Sequence, residues 1–316
     1  MLEYFQLLGG LVLLLIAGDA LVSGAASLAI KFKISPLVIG LTVIAFGTSA
    51  PELFVSLKAA FNGTPGIAIG NVVGSNIANI LLVLGLPAIF YSMNADNEDV
   101  RKNMKVVMLA SLVFAGLVLT GVLVWWHGAI LFAGIILFLY FEAKKSRNKR
   151  KNGEYDYSEI EDELDATPKR GWKIALFLLF GMAGLPIGAH FLVEGASSIA
   201  LDFGLSEAAI GLTVVALGTS LPELAAVFSA VRRKESDLAI GNILGSNLFN
   251  MLAVMGLTAL VHPVAIPASI INVDIWIMLA VTILLYLVIS RIKNISTMVG
   301  GTFVAFYVFY IFTALG

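Results

Sequence analysis

Two glutamates in this chain stand where a carboxylate is costly. Glu52 closes the run Gly47-Thr48-Ser49-Ala50-Pro51-Glu52, and Glu223 closes Gly218-Thr219-Ser220-Leu221-Pro222-Glu223, 171 residues later. Both lie within apolar segments long enough to cross a bilayer. An acid at that depth costs about 3 kcal/mol on insertion scales, so a pair in the same frame asks for a counter-charge. Read as helix, Ala45, Thr48, Ser49 and Glu52 fall at i, i+3, i+4 and i+7, on one face. Ala216, Thr219, Ser220 and Glu223 repeat that face. Gly47 and Pro51 weaken the backbone ladder beside the acid and free carbonyls that lipid cannot satisfy. A cation satisfies carbonyls and carboxylates together.

A second polar stripe accompanies each acid. Asn71, Ser75 and Asn79 run at i, i+4 and i+8, and Asn242, Ser246 and Asn250 do the same. Such side chains serve either as oxygen ligands or as hydrogen-bonding glue between helices. Hard cations take all-oxygen shells, about 6–8 ligands for Ca²⁺. Neither motif holds His, and the chain has no Cys, which argues against soft metals. Two carboxylates balance one divalent ion or partly balance several monovalent ones. Oxygens able to hold either Ca²⁺ or Na⁺ would make the two compete. The cost of leaving both acids charged and empty would couple their exchange.

These residues need long apolar elements, and the composition supplies them: 59% of residues are hydrophobic and 13% charged, against about 25% charged in soluble domains. Ten spans are expected near 4–30, 36–60, 66–89, 104–125, 128–143, 172–199, 207–231, 238–260, 271–290 and 295–315. The first is read as a span and not as a removed signal, because it lacks a basic leader. With the amino terminus outside, 19 of the 20 Lys and Arg fall at inner ends and loops, Lys58 being the exception. The expected location is the cell membrane, with both termini extracytoplasmic and the central loop cytoplasmic. That loop is basic and then acidic, and it reads as a solvated linker; its acids lack the spacing of a known calcium loop.

The chain also repeats itself. Shifted by 171, it aligns without a gap from Gly24 to Leu86. Residues 39–53 match 210–224 at 12 of 15 positions, and 68–86 match 239–257 at 12 of 19. Five spans per half is an odd number, so the second half must lie inverted, an arrangement that places transporter sites at the midplane. The expected fold class is an all-α membrane protein of ten transmembrane helices in two inverted five-helix repeats. The halves are 1–143 (motif 39–86) and 172–316 (motif 210–257), joined by a linker at 144–171.

The paired motifs Gly47–Glu52 with Gly70–Asn79, and Gly218–Glu223 with Gly241–Asn250, resemble the two alpha repeats of the calcium/cation antiporter superfamily. Within it the chain is similar to prokaryotic sodium/calcium exchangers, over essentially its whole length. The resemblance implies electrogenic exchange of several Na⁺ for one Ca²⁺ by alternating access, with the first and sixth spans sliding past the other eight. It implies that Glu52 and Glu223 are ligands shared by both ions. Thr48 and Thr219 would lend backbone carbonyls, as would Ala45 and Ala216 toward Na⁺. Ser49, Ser75, Ser220 and Ser246 would lend side-chain oxygens. Asn79 and Asn250 complete the candidate set. Asn250 departs from branches, including potassium-dependent ones, that carry Asp there; losing that charge argues against K⁺ co-transport. The proton/calcium branch usually shows Asn-Ala where this chain has Thr-Ser.

The substrates implied are Ca²⁺ and Na⁺ and the surroundings a lipid bilayer. No cofactor, catalytic group or nucleic-acid partner is expected, and a monomer is. Two rival readings stay open: H⁺/Ca²⁺ exchange with the same glutamates titrating, and a cation channel. An intramembrane enzyme is more distant, since no nucleophile–base pair accompanies the motifs. Asp19, with His190 at its matched position and Glu194 one turn on, reads either as a gate group on the sliding helices or as a local hydrogen bond. His127 and His262 are expected to be solvated, Trp125, Trp126 and Trp172 to lie at the interface, and Asp96, Glu98 and Asp99 to form an exposed loop.

Overall fold

A computed structural model describes residues 2–151, 168–203 and 218–315. The first long helix is α1 (Leu2–Phe32), followed by the bent pair α2 (Pro36–Thr48) and α3 (Ala50–Phe61) and by α4 (Pro65–Phe90). Then come α5 (Glu98–Val118) and α6 (Trp125–Lys151). The second half contributes α7 (Gly171–Asp202), α8 (Leu221–Arg232), α9 (Ser236–Val261), α10 (Ile270–Ile292) and α11 (Thr297–Leu315). Among the described residues, six helices are long and apolar enough to cross a membrane, and the α2–α3 pair, bent by 44°, makes a seventh. Most of the expected spans overlap one of these helices; the second covers the bent α2–α3 pair, and the seventh, expected at 207–231, begins outside the described residues. The acidic part of the linker and residues 204–217, Ala216 included, lie outside the described residues.

The fourth span is displaced from its expected 104–125. Asn97 accepts the Asp99 amide at 2.9 Å and caps α5, so the helix starts at Glu98. It ends at Val118, and Gly121, at φ 85°, turns the chain through a left-handed conformation that suits glycine. The apolar run that follows is a short strand, β2 (Val122–Leu123). The acidic loop also differs from expectation. Asp96 is exposed, and hydrogen bonds from Arg101 and Lys293 hold its carboxyl below the usual range. Asp99 is buried, paired with Lys145 at 3.0 Å and Lys149 at 2.8 Å. Those lysines can reach it because α6 continues past 143 to Lys151.

Two small antiparallel pairings tie the halves together. β1 (Met93–Asn94) pairs with β4 (Asn294–Ile295), and β2 pairs with β3 (Val264–Ala265). Adding 171 carries β1 onto β3 and carries β2 to within one residue of β4, so the repeat offset relates the two pairings with a register shift of one residue. Helix packing follows the same exchange. α4 meets α11 at Gly85 and Gly300, and α9 meets α6 at Gly256 and Gly128. α1 and α7 pack along their lengths through Gly10, Gly181, Gly188 and Gly195, where backbones come into contact as small residues allow.

The centre of the molecule depends on one close crossing. A Cβ on Gly40 would stand 2.6 Å from the Leu238 carbonyl oxygen, and one on Gly241 would stand 2.6 Å from that of Leu37. One turn further on, a Cβ on Gly245 would stand 2.5 Å from the Leu41 oxygen and 2.7 Å from Ala45 Cβ. α2 and α9 thus touch backbone to backbone. Gly245→Val is expected to lower the melting temperature in detergent, through an overpacking cost of about 1–3 kcal/mol. Unchanged melting would contradict the close crossing.

Candidate cation-binding site

The interruption between α2 and α3 positions the first acid. Ser49, at φ −86° and ψ 5°, forms the break; Ser220, before α8, has φ −89° and ψ 0°. Both lie in the sparsely allowed bridge region. Pro51 and Pro222 occupy the first turn of the following helix, where a missing N–H leaves no bond unmade. Glu52 and Glu223 therefore stand in the first turns of α3 and α8, at helix ends whose free N–H groups favour negative charge.

Both acids are directed into the core. Glu52 is 1% exposed and Glu223 is fully buried. Ser49 donates to Glu223 Oε1 at 3.2 Å, so the segment that carries one acid touches the other. Oε2 of each glutamate is buried without a hydrogen-bond partner. Among the described residues, no Lys, Arg or His pairs with either acid. Two buried carboxylates without a protein cation carry a desolvation penalty of several kcal/mol each. No cluster of three or more His, Cys, Asp and Glu exists among the described residues, so any shell around a cation must be completed by neutral oxygens.

Neutral oxygens of the same motifs are also buried. The α2–α9 crossing sets the Thr48 hydroxyl 3.3 Å from Asn242 Oδ1, to which it donates, and 3.5 Å from Ser246 Oγ. Ala45, Ser75, Ser220 and Ser246 are buried, and Thr219 is half-buried. Asn79 and Asn250 are buried at the starts of π-helical turns, Asn79–Leu84 and Phe249–Val254. Such turns loosen the backbone ladder and favour functional positions. Asn79 donates its amide to Asn247 Oδ1 at 3.1 Å, leaving its own Oδ1 buried and unpartnered. Neither amide atom of Asn250 has a partner. Unmet buried acceptors are chemistry that suits a hard cation.

Other polar residues of the motifs act as glue. Asn71 donates to the Glu52 carbonyl at 3.3 Å and to Ser56 at 3.1 Å, and Asn76 donates to Val72 O at 2.7 Å. Asn247 was not singled out in the sequence. It holds Asn79 and donates to Asn76 O at 3.5 Å. Its signal was available, since it is the 171-offset twin of Asn76.

The Asp19 carboxylate does not make the local bond. It accepts from Ser229, Arg232 and Arg233 at the far end of α8. Its twin His190 is exposed, 3.8 Å from Glu194, which also accepts from Gln6 at 3.0 Å. His127, expected in solvent, is 3% exposed; its Nδ1 accepts the Val124 amide at 3.0 Å and its ring lies against Trp126. The sharp turn that follows β2 folds the ring back over its own helix start.

Comparison with known proteins places this geometry in context. The family described as sodium/calcium exchanger protein matches residues 2–144 and 173–316. The putative antiporter CaxA of Alkalimonas amylolytica is 38% identical over 286 residues, covering 90% of this chain and 89% of its own. The sodium/calcium exchanger MaX1 of Methanosarcina acetivorans is 30% identical over 340 residues, covering 98% and 97%. The solved structure of the sodium-calcium exchanger NCX_Mj soaked with zero Na⁺ and Ca²⁺ superimposes with a TM-score of 0.84 at 32% identity, covering 99% of both chains. The Ca(2+)/H(+) antiporter ChaA of Bacillus subtilis also matches, at 27% identity over 305 residues, covering 90% of this chain and 85% of its own.

The unpartnered amide of Asn250 yields a direct test. Asn250→Asp adds a third acid, and is expected to shift cation affinity or monovalent selectivity severalfold in Ca²⁺ flux assays with Na⁺ or K⁺ varied. Unchanged dependence on both ions would place this side chain away from the ion path.

Proposed function

Because the chain belongs to the sodium/calcium exchanger protein family, we propose that it exchanges Na⁺ for Ca²⁺ across the membrane, the two ions competing for a midplane site built on Glu52 and Glu223. The observation that carries this reading is the pair of buried carboxylates, of which Glu223 accepts from Ser49 in the segment that carries Glu52, each with an unpartnered oxygen and, among the described residues, no protein cation. The ligand set is Glu52, Glu223, Ser49, Ser220, Ser75, Ser246, Asn79 and Asn250, with backbone oxygens from Ala45, Thr48, Ala216 and Thr219. One Ca²⁺ neutralises both acids; several Na⁺ do so in turn. Either filling removes the penalty of buried charge, and an empty, doubly charged site is too costly to carry across. Exchange follows from that exclusion.

Ten spans in two inverted five-helix repeats provide the frame. The strand pairings and glycine crossings that exchange under the 171-residue offset support the inversion. The one-sided distribution of Lys and Arg supports extracytoplasmic termini and a cytoplasmic linker. The continuous packing of α1 on α7 supports their movement as one body past the rest. Alternating access then needs only that body to slide along the fixed site.

Proton coupling is the second reading, and the ChaA match favours it. There Glu52 and Glu223 would be neutralised by protons and not by Na⁺. Flux separates the two. In proteoliposomes with pH clamped on both sides, an imposed Na⁺ gradient is expected to drive Ca²⁺ uptake. Glu52→Gln and Glu223→Gln should each reduce that uptake at least a hundredfold while the protein still folds. Full Na⁺-driven uptake by either variant would remove the site; uptake driven by a pH gradient alone would transfer the coupling to protons.

A further inference from the structure

Asp19 spans the boundary between the α1–α7 body and the rest of the molecule. Its Oδ1 accepts from Arg232 at 2.6 Å, from Arg233 Nε at 2.9 Å and from Ser229 at 3.0 Å, while its Oδ2 accepts from Arg233 at 2.6 Å. Arg233 therefore grips the carboxylate with two parallel bonds, the strongest and most directional form of this contact. Asp19 is about one-third exposed and Arg233 about one-quarter, so the pair is partly shielded from water. Exposed ion pairs contribute little, but bidentate and partly shielded ones hold geometry.

The position of the pair matters as much as its strength. Beside Asp19, a Cβ on Gly18 would stand 2.9 Å from the Ala225 carbonyl oxygen, so α1 crosses α8 two residues past Glu223. α1 thereby covers the site on the side toward Arg232 and Arg233. Among the described residues, the opposite side has no matching charge pair. The twins of Arg232 and Arg233 are Phe61 and Asn62, and the twin of Asp19 is His190. His190 meets Glu194 on its own helix, and the Phe61 ring lies against His262. The repeat has kept the ligands in both halves and placed the charge pair in only one.

We propose that Asp19, Ser229, Arg232 and Arg233 form an electrostatic latch that holds α1 across the inner side of the ion site and biases the protein toward its outward-open form. Sliding α1 along α8 breaks all four bonds at once, whereas the outer side opens without a comparable loss. The latch sets the ratio of the two forms and not the chemistry of ion binding. It rests on the alternating-access reading above and goes beyond it by naming what makes the two sides unequal.

The chain contains no cysteine, so a single reporter can be introduced without background. Ala226→Cys suits this role, because Ala226 is 1% exposed and lies one turn from Ser229 on α8. Labelling by a membrane-impermeant maleimide from the inner side is measured in vesicles, with and without the Asp19→Asn substitution. Asp19→Asn is expected to raise the labelling rate at least about fivefold, the low end of coupling between distant sites. The apparent affinity for outer Ca²⁺ should fall by the fraction of outward-open protein lost. If Asp19→Asn labels as slowly as the parent, while parent labelling still responds to Na⁺ and Ca²⁺, the latch is overturned and alternating access stands. If parent labelling responds to neither ion, the alternating-access reading falls and the latch falls with it. Should Asp19→Asn fail to fold, Arg233→Gln in the same background measures the same rate. Exchange of the charges in Asp19→Arg with Arg233→Asp should restore slow labelling, and fast labelling in that double variant would count against the pairing.

Discussion

Everything in this structure depends on keeping two carboxylates out of water without giving them a protein cation. Glu52 and Glu223 are buried, each with an oxygen that no donor reaches. A Lys or Arg in the core would have relieved the penalty and left a stable, inert protein. Among the described residues no such group pairs with either acid, and on the proposed reading a cation from outside balances the charge, with the buried hydroxyl and amide oxygens of the motifs as its further acceptors. In the proposed mechanism the cost of the buried charge is transferred to whichever ion fills the site.

The backbone shares in that arrangement. Each acid follows a helix break at a serine in the bridge region, and each asparagine opens a π-helical turn. Irregular backbone at membrane depth is tolerated only where it is enclosed by protein or lines a cavity. The crossing of α2 on α9 through Gly40, Gly241 and Gly245 provides that enclosure. Backbones that touch leave no room for an apolar residue to seal the site, and they fix Thr48 against Asn242 and Ser246.

Much of this was legible in the sequence because duplication acts as an internal control. Polar residues held through the repeat, such as Ser49 and Ser220 or Asn79 and Asn250, lie in the buried core, while the drifting positions exchange one apolar residue for another, as Val73 and Leu244 do. Periodicity and charge located most of the long helices, with ends displaced by several residues at α5 and α6. It failed at Val122–Leu123, where an apolar run looks the same whether it is helix or strand and only the positive φ at Gly121 decides. The partners of Asp19 were hidden for a different reason. Arg232 and Arg233 read as ordinary inner-end charges, and a pairing across more than 200 residues leaves no local pattern. Asp99 was hidden likewise, because its lysines lie on a helix that outruns its apolar stretch.

Competition for one pair of acids is the central claim, and equilibrium binding tests it without a gradient or a membrane. Ca²⁺ binding to the purified protein is measured by calorimetry at fixed pH while Na⁺ or K⁺ is added at constant ionic strength. The account predicts that Na⁺ weakens Ca²⁺ binding steeply, with more than one Na⁺ displacing each Ca²⁺, that K⁺ does not, and that Glu223→Gln abolishes the binding. Ca²⁺ affinity that is indifferent to Na⁺, or retained in Glu223→Gln, would contradict it.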